Sequence, residues 1–292
     1  MPPCFSKEAR LDRYIKRYWP IFVLPTMLAF FISFIVPFVM GLGLSFAKFH
    51  TITDAAFVGF DNYIRAFTDP SSNFVHALWY TALYAAVSTV LTNVLGLAVA
   101  LLLSRGLRGS NIFRTVFFMP NLIGGIVLGW IWNVILNGAL MRYGATLVLS
   151  EWYGFAGLTV LMLWQHIGYV MIIYIAGLMA IPADLTEAAA IDGATGWQPL
   201  IRVRLPMLMP SFTICTFLTL TNGFKLFDQN LSLTAGAPSS RSEMLALNIY
   251  NTFYGRPGWE GAGQAKAVVF CILVVAVALL QLKLTRSKEV QQ

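Results

Sequence analysis

The chain has 292 residues, of which 58% are hydrophobic and 11% are charged, and its mean hydropathy is +0.69. An average soluble domain carries about 25% charged residues, so this composition excludes an ordinary soluble protein and indicates an integral membrane protein. The formal net charge is +7, but no nucleic-acid-binding motif accompanies the basic residues, and we expect no nucleic-acid partner.

Long charge-free stretches predict six membrane-spanning helices. A helix needs about 20 mostly apolar residues to cross the hydrocarbon core of a bilayer, and five of the six stretches are that long. The sixth reaches this length only if Lys266 extends its ammonium group to the interface. The predicted spans are Trp19–Phe46, Phe74–Ser104, Ile112–Trp132, Gly157–Ile181, Met207–Leu226 and Ala262–Leu284. The predicted fold is therefore all-α, an integral membrane protein with six transmembrane helices.

Basic residues are distributed unequally between the two sides that these spans define. With the amino terminus inside, thirteen of the 20 Lys and Arg residues fall in inner segments and seven in outer ones. Inner segments are enriched in Lys and Arg, so we predict that both termini are cytoplasmic. The first apolar run follows five basic residues but is too long for a cleaved signal peptide, and we interpret it as an anchor.

The predicted organisation has four parts. They are a basic cytoplasmic tail (1–17), the first span with an outer loop (18–73), a core of five spans (74–288) and a carboxy-terminal tail (289–292). The three cysteines show neither a disulfide framework nor metal-ligand spacing, so we expect no metal site.

Polar side chains in the fourth and fifth predicted spans are candidates for a solute path. His166 and Tyr169 lie within one helical turn of an apolar run, where they can share a face with Gln165. Polar groups in a span avoid lipid, so they either line a wet cavity or hydrogen-bond to a neighbouring helix, and the sequence leaves both interpretations open. The further candidates, near the outer end of the fifth span, are Asn222, Gly223, Lys225 and Asp228. Lys225 and Asp228 are three residues apart and can instead pair with each other.

A polar, alanine-rich segment between the fourth and fifth spans differs from its surroundings. Pro182 ends the preceding helix, and Asp184, three residues before Glu187, has the spacing of a capping box. Gly193 and Gly196 permit a reversal of the chain. The predicted elements of this elbow (182–205) are a helix over Leu185–Asp192, a turn at Gly193 and a second helix over Trp197–Val203.

Three motifs in this segment resemble the signature loop of permease subunits in bacterial ABC importers. They are Glu187-Ala188-Ala189, Asp192-Gly193-Ala194 and Leu205-Pro206. The longer form from Ile181 to Gln198 is similar to the carbohydrate-uptake branch, the relatives of the maltose and glycerol-phosphate importers. Further matching segments occur in the expected order at Phe57–Tyr63, Ala176–Leu178, Phe224–Asp228 and Leu233–Pro238.

The resemblance implies that the elbow is a coupling helix that lies in a cleft on a separate ATP-hydrolysing subunit. The residues that it assigns to coupling are Asp184, Glu187, Ala188, Ala189, Asp192, Gly193, Leu205 and Pro206. We expect Glu187 to pair with a basic residue of that subunit and Asp184 to cap the helix; the alternative is that both only solvate a loop. The chain has no Gly-Lys dipeptide for a phosphate-binding loop. We therefore expect no cofactor on this chain, with ATP and Mg on the ATPase.

The same resemblance implies an assembly with a second homologous permease, two ATP-binding subunits and an extracytoplasmic solute-binding protein. The expected function is that of a non-catalytic permease subunit that imports a sugar or oligosaccharide across a bacterial or archaeal cytoplasmic membrane. Hydrogen-bonding groups and aromatic rings among the path candidates suit a sugar. A non-sugar solute is one alternative. An ion-coupled transporter needs buried charges, of which only His166 comes close, and a lipid-modifying enzyme needs clustered carboxylates for a metal.

Overall fold

The computed structural model describes residues 5–106 and 108–286, with the backbone alone for residues 5–17 and Ile52. The predicted tail 289–292 and the first four residues of the predicted tail 1–17 lie outside this range. The described helices are α1 (Phe5–Phe30), α2 (Val36–Leu44), α3 (Asp61–Thr68), α4 (Phe74–Leu103), α5 (Ser110–Phe118), α6 (Gly125–Met141), α7 (Glu151–Met179), α8 (Ala183–Ile191), α9 (Leu205–Met207), α10 (Met209–Phe224), α11 (Asp228–Leu233), α12 (Leu245–Gly255) and α13 (Glu260–Arg286). An antiparallel pair, β1 (Ala47–Lys48) and β2 (Ala56–Phe57), follows α2.

Four helical segments in the described part of the chain are long and apolar enough to cross a membrane. They are Tyr18–Leu44, Pro70–Leu103, Glu151–Met179 and Glu260–Arg286. Two further candidates are bent pairs, Ser110–Leu122 with Gly125–Met141 and Leu200–Met207 with Met209–Phe224, so the count reaches six if each pair is one span. The structure thus gives a mostly helical protein with four to six candidate spans.

The predicted third span is broken rather than continuous. Its two helical segments, Ser110–Leu122 and Gly125–Met141, meet at an angle of 101°. Pro120 lies in the last turn before the break and has no N–H to continue a helix, and Gly124 is extended, with φ −61° and ψ 140°. The sequence predicts one continuous helix here, because the angle of the break depends on how the neighbouring helices pack.

The centre of the molecule is the packing of α4 against α7 and α10. One buried cluster between these helices combines Ala100, Val170, Met171, Tyr174 and Cys215. Small residues let the backbones approach closely. A Cβ atom on Gly223 of α10 would lie 3.0 Å from the Cα atom of Ala85 in α4, so only glycine fits there without displacement.

The short helix α5 packs on α7 at a second glycine. A Cβ atom on Gly168 would overlap the carbonyl group of Phe117. This contact holds the bent third span against α7, because no side chain separates the two backbones.

Lys266 is buried near the start of α13 and does not extend to the interface as predicted. Its side chain is 0% exposed. The ammonium group donates hydrogen bonds to the carbonyl oxygen of Ser72 (3.0 Å), to Asn248 Oδ1 (2.9 Å) and to Thr252 Oγ1 (2.8 Å). A buried charge is stable only when such partners replace water. Lys266 therefore ties α13 to α12 and to the turn before α4.

Two basic residues predicted on the outer side lie near the beginning of α4, and one predicted on the inner side follows its end. At its beginning, Arg256 donates to the carbonyl of Ser71 at 2.6 Å, and Arg65 donates to the carbonyl of Gly258 at 3.0 Å and lies 3.7 Å from the ring of Trp259. Arg105 follows the last residue of α4 by two positions. A helix of 30 residues is about 45 Å long, so these groups are separated by roughly the thickness of a bilayer.

Replacing Gly168 by Ala tests the contact between α5 and α7. We expect Gly168→Ala to lower the thermal unfolding temperature of the detergent-solubilised protein, because overpacking of this kind costs about 1–3 kcal/mol. Gly138→Ala in α6 is the matched control, since a Cβ atom there has nothing within 4 Å. Equal unfolding temperatures for the two variants would contradict the contact.

Replacing Lys266 by Met tests the buried ammonium group. The variant leaves three acceptors without their donor, and we expect a loss of at least about 2 kcal/mol in the free energy of unfolding. Lys283→Met, on the same helix but exposed, should change stability little. Chemical unfolding in detergent followed by tryptophan fluorescence compares them, and a Lys266 variant as stable as the Lys283 variant would show that the cluster does not stabilise the fold.

Candidate functional site

The elbow contains a short helix that is exposed along its whole length. Helix α8 has no buried residue, and the side chains of Glu187, Ala188 and Asp192 are exposed. Ala189 is half-buried. Alanine favours the helix and adds little bulk, so another molecule can approach the backbone of α8 closely.

Gly193 ends α8 in the way that the sequence predicts. Its φ angle of 80° is in the left-handed region that favours glycine. The N–H of Gly193 donates to the carbonyl of Ala190 at 3.1 Å, and the N–H of Ala194 donates to that of Ala189 at 2.9 Å. This pair of bonds is a Schellman motif. The reversal that follows is therefore fixed by backbone geometry.

The predicted capping box of α8 is wrong. The residue that precedes the helix is Pro182, which has no capping side chain, and Asp184 is the second residue of the helix. Pro182 is extended, with φ −57° and ψ 135°, so the helix begins two residues earlier than Leu185. Asp184 instead lies in the first turn, where a negative charge interacts favourably with the helix dipole.

Apolar side chains on the elbow are exposed to an unusual degree, and they are not among the residues predicted for coupling. Leu185 is 41% exposed, Trp197 71% and Ile191 86%. Asp184, Glu187 and Ile191 are spaced at three and four residues and so lie along one side of α8. The signal for this surface was present in the sequence, because large apolar residues alternate with acids in an otherwise polar segment.

The second half of the elbow leads into α10 through a bend. The predicted second helix is a π-helical turn over Leu200–Arg204, which begins later than Trp197 because Pro199 precedes it. Leu205 and Pro206 continue into the one-turn helix α9. The segment Leu200–Met207 meets α10 at 61°. The elbow is therefore connected to α7 at one end and to α10 at the other.

A polar cleft lies between α4, α7 and α10 and contains three of the six predicted path residues. They are His166, Asn222 and Gly223, and they line a cavity of about 10 Å³, which has room for about one water molecule. Ring nitrogen Nδ1 of His166 is 3.2 Å from the carbonyl of Met162. Ser88 and Thr92 of α4 and Thr219 of α10 complete the polar lining.

The contribution of α4 to this cleft was missed by the sequence analysis. The signal was a polar stripe, since Thr81, Ser88 and Thr92 recur at spacings close to whole helical turns. Next to the cleft, the side-chain amide of Asn93 donates to Thr219 Oγ1 at 2.9 Å, and the hydroxyl of Tyr174 donates to Asn93 Oδ1 at 2.8 Å. This triad joins all three helices by side-chain hydrogen bonds.

The other polar residues that were considered for the path do not line the polar cleft. Tyr169 is half-buried against the apolar cluster of α4, α7 and α10. Gln165 Oε1 accepts a hydrogen bond from Gln229 Nε2 at 2.9 Å, so Gln165 joins α7 to α11. Lys225 and Asp228 are both exposed, and the described residues contain no salt bridge between them, so the suggested pairing is wrong.

No group of three His, Cys, Asp or Glu side chains in the described residues is arranged to hold a metal ion. Among these residues, Cys215 is buried and Cys271 half-buried, and both are free thiols.

Comparison with known proteins identifies the family. Residues 92–289 match the family described as binding-protein-dependent transport system inner membrane component. The chain is 42% identical to the probable starch degradation products transport system permease protein AmyD of Thermoanaerobacterium thermosulfurigenes, over 98% of this chain and 99% of that protein. It is 30% identical to the multiple sugar-binding transport system permease protein MsmF of Streptococcus mutans, over 96% and 99% of the two chains.

Solved structures show the same fold. A chain of a bacterial ABC transporter involved in the import of the acidic polysaccharide alginate aligns with a TM-score of 0.79 at 20% identity, covering 95% of this chain and 99% of that one. The chain therefore belongs to the family of inner membrane components of binding-protein-dependent transport systems, and the predicted family is confirmed.

Proposed function

We propose that this chain is the permease subunit of an ATP-driven importer for a sugar or oligosaccharide. The observation that carries the proposal is the 42% identity, over almost the whole of both chains, to a permease named for starch degradation products. The second relative is named for multiple sugars. Malto-oligosaccharides are the corresponding chemical class and are the first substrates to test.

The polar cleft supports a solute path at this place in the fold. Sugars need hydrogen-bond donors and acceptors, and His166, Asn222 and Thr219 supply them between three packed helices. The cleft is much smaller than a sugar, so transport in this proposal requires the helices around it to separate. A second homologous permease supplies the other half of the path in this proposal. Tyr169, Lys225 and Asp228 stay predictions as path residues.

The separation of basic groups along α4 supports the predicted orientation, with the elbow and both termini in the cytoplasm. We retain the predicted parts, a tail (1–17), a first span with its outer loop (18–73), a core (74–288) and a short end (289–292). The core contains the cleft and the elbow, so it carries both the path and the coupling in this proposal.

The exposed side of α8 supports coupling to a separate ATPase. Ile191 offers apolar contact area, and Glu187, one turn before it on the same side, offers a charge for a basic residue of the partner. Exposed apolar patches with polar neighbours are typical of protein interfaces. We propose one ATP-binding subunit against this elbow and a second against the elbow of the partner permease, with an extracytoplasmic binding protein that delivers the solute.

Asn222 tests the path. In the reconstituted complex, Asn222→Ala should slow uptake of labelled maltotriose by about 2- to 12-fold, the effect of losing one hydrogen bond of about 0.5–1.5 kcal/mol. Asn111→Ala is the matched control, because Asn111 is exposed on α5, outside the cleft. Equal uptake by both variants, with normal assembly, would exclude Asn222 from the path. Absence of maltotriose uptake by the unmodified complex would instead contradict the substrate class.

Glu187 tests the coupling surface. Glu187→Lys keeps a good helix former in α8 but places a positive charge against the proposed basic residue, and like charges at an interface cost several kcal/mol. We expect ATP hydrolysis stimulated by the loaded binding protein to fall by about tenfold or more. Asp61→Lys, an exposed charge reversal at the other end of the molecule, should leave it unchanged. Normal stimulation with Glu187→Lys would exclude a role for this charge.

A further inference from the structure

A large groove lies where the elbow, α4 and α10 meet. Its volume is about 720 Å³. Val94, Leu97 and Leu101 of α4 form one wall with Phe212 of α10, and Trp197 and Leu200 of the elbow form the other. The α4 wall extends from Val94 to Leu102, or about 12 Å along the helix axis at 1.5 Å per residue. The groove is therefore elongated along α4 and mostly apolar.

Two arginines give the groove a charged end. Arg105 and Arg204 both line it, and among the residues that the structure describes no acidic side chain does. Both side chains are exposed, and neither guanidinium forms a hydrogen bond or salt bridge with the part of the chain that the structure describes. The salt bridges found in that part involve His50 and His76, at the beginning of α4 rather than at its end. The two positive charges are thus available to an anionic ligand.

We propose that this groove binds an anionic glycerophospholipid of the cytoplasmic leaflet, such as phosphatidylglycerol. The headgroup phosphate contacts Arg105 and Arg204, and an acyl chain lies along Val94, Leu97 and Leu101. Guanidinium groups bind phosphate through paired hydrogen bonds, and anionic lipids are attracted to basic residues at the cytoplasmic surface. The proposal relies on the orientation given under the proposed function, but not on the solute.

The combination of apolar and charged walls favours a lipid over a free anion. A soluble phosphate would use the arginines and leave about 12 Å of apolar helix surface unused. A lipid satisfies both parts of the groove. Trp197 beside the groove is 71% exposed, and tryptophan is typical of the level of the headgroups.

Such a lipid would connect the elbow to α4. Trp197 and Leu200 belong to the elbow, and Leu97 and Leu101 belong to α4, so one acyl chain contacts both. Its binding would stabilise one position of the elbow relative to α4, and so the lipid composition would alter the coupling to ATP hydrolysis.

The test measures lipid that remains bound to the assembled complex. The complex is equilibrated with equal amounts of phosphatidylglycerol and phosphatidylcholine, purified, and analysed by native mass spectrometry without sugar, ATP or binding protein. We expect retention of phosphatidylglycerol over phosphatidylcholine. Arg105→Gln with Arg204→Gln should reduce the phosphatidylglycerol retained by about fivefold or more, as expected from the loss of about 1–2 kcal/mol.

A matched control removes two positive charges from arginines that lie close to the groove in sequence but do not line it. Arg108 and Arg202 are exposed but do not line the groove, and Arg108→Gln with Arg202→Gln should retain the lipid. Equal retention by the two double variants, or equal loss, would overturn the proposal. So would displacement of the lipid by inorganic phosphate at physiological concentration.

Leu101→Trp provides an independent variant, because it fills the groove and keeps both arginines. It should lose phosphatidylglycerol as the arginine variant does, and retention would overturn the proposal. If the unmodified complex holds no phosphatidylglycerol and Leu101→Cys forms a cross-link to another subunit, the groove is a protein interface and the proposal is wrong. Because the assay contains no solute, a wrong assignment of the sugar would leave its result unchanged.

Discussion

The close contact of α4 with α7 and α10 is the constraint on which the rest of the structure depends. Apolar side chains gain little by leaving lipid for a protein interior, so helices in a membrane associate through tight packing and hydrogen bonds. Here both are present. Gly223 brings α10 onto Ala85 of α4, and Asn93 bonds to Thr219 and Tyr174. The polar cleft lies between the same helices, so the packing that holds the molecule together also sets the width of the proposed path.

The elbow, in contrast to these tightly packed helices, makes few buried contacts with the rest of the chain. Helix α8 has no buried residue, and its shape comes from local backbone bonds at Gly193. It can therefore move as a unit when another molecule binds. From Met179 to His166 is 13 residues of continuous helix α7, or about 20 Å. A displacement at the elbow thus reaches the cleft through a rigid element, and through α10 on the other side.

Much of the fold could be predicted from the sequence, since long apolar runs have few other stable states in a membrane. The start of α4 at Phe74 agrees with prediction. The turn at Gly193 after α8 also agrees, because a glycine in the left-handed region is a local signal. The break at Gly124 was not predictable in size, because it depends on which helices pack on either side. Lys266 was misplaced for a related reason: its partners Ser72, Asn248 and Thr252 are distant in sequence, and only the tertiary structure brings them together.

The candidate site likewise has parts that depend on local sequence, which were predicted, and parts that depend on tertiary packing, which were not. The elbow was identifiable because its motifs are contiguous, whereas the cleft needed residues from three helices. Asp184 illustrates the limit of a local pattern. Its spacing from Glu187 suits a capping box, yet an extended Pro182 starts the helix earlier and leaves Asp184 inside the first turn. His166 and Asn222 were found because polar residues stand out in apolar spans, while Ser88 and Thr92 were missed because small hydroxyls are common in membrane helices, where they bond to their own backbone.

Helix α4 extends past three regions of the molecule: the surroundings of Lys266, the polar cleft and the groove beside the elbow. Its first residue, Phe74, has its ring 5.5 Å from the ammonium group of Lys266. Its middle lines the cleft through Ser88 and Thr92, and its last turns line the groove beside the elbow. A helix satisfies its own backbone hydrogen bonds, so it transmits position over its whole length with little deformation. The bends lie elsewhere, at Gly124 in the third span and at 61° between the elbow and α10. Displacement of the elbow is therefore expected to reach the cleft through the bend before α10, while the close contacts of α4 with α10 hold the upper part of the two helices together.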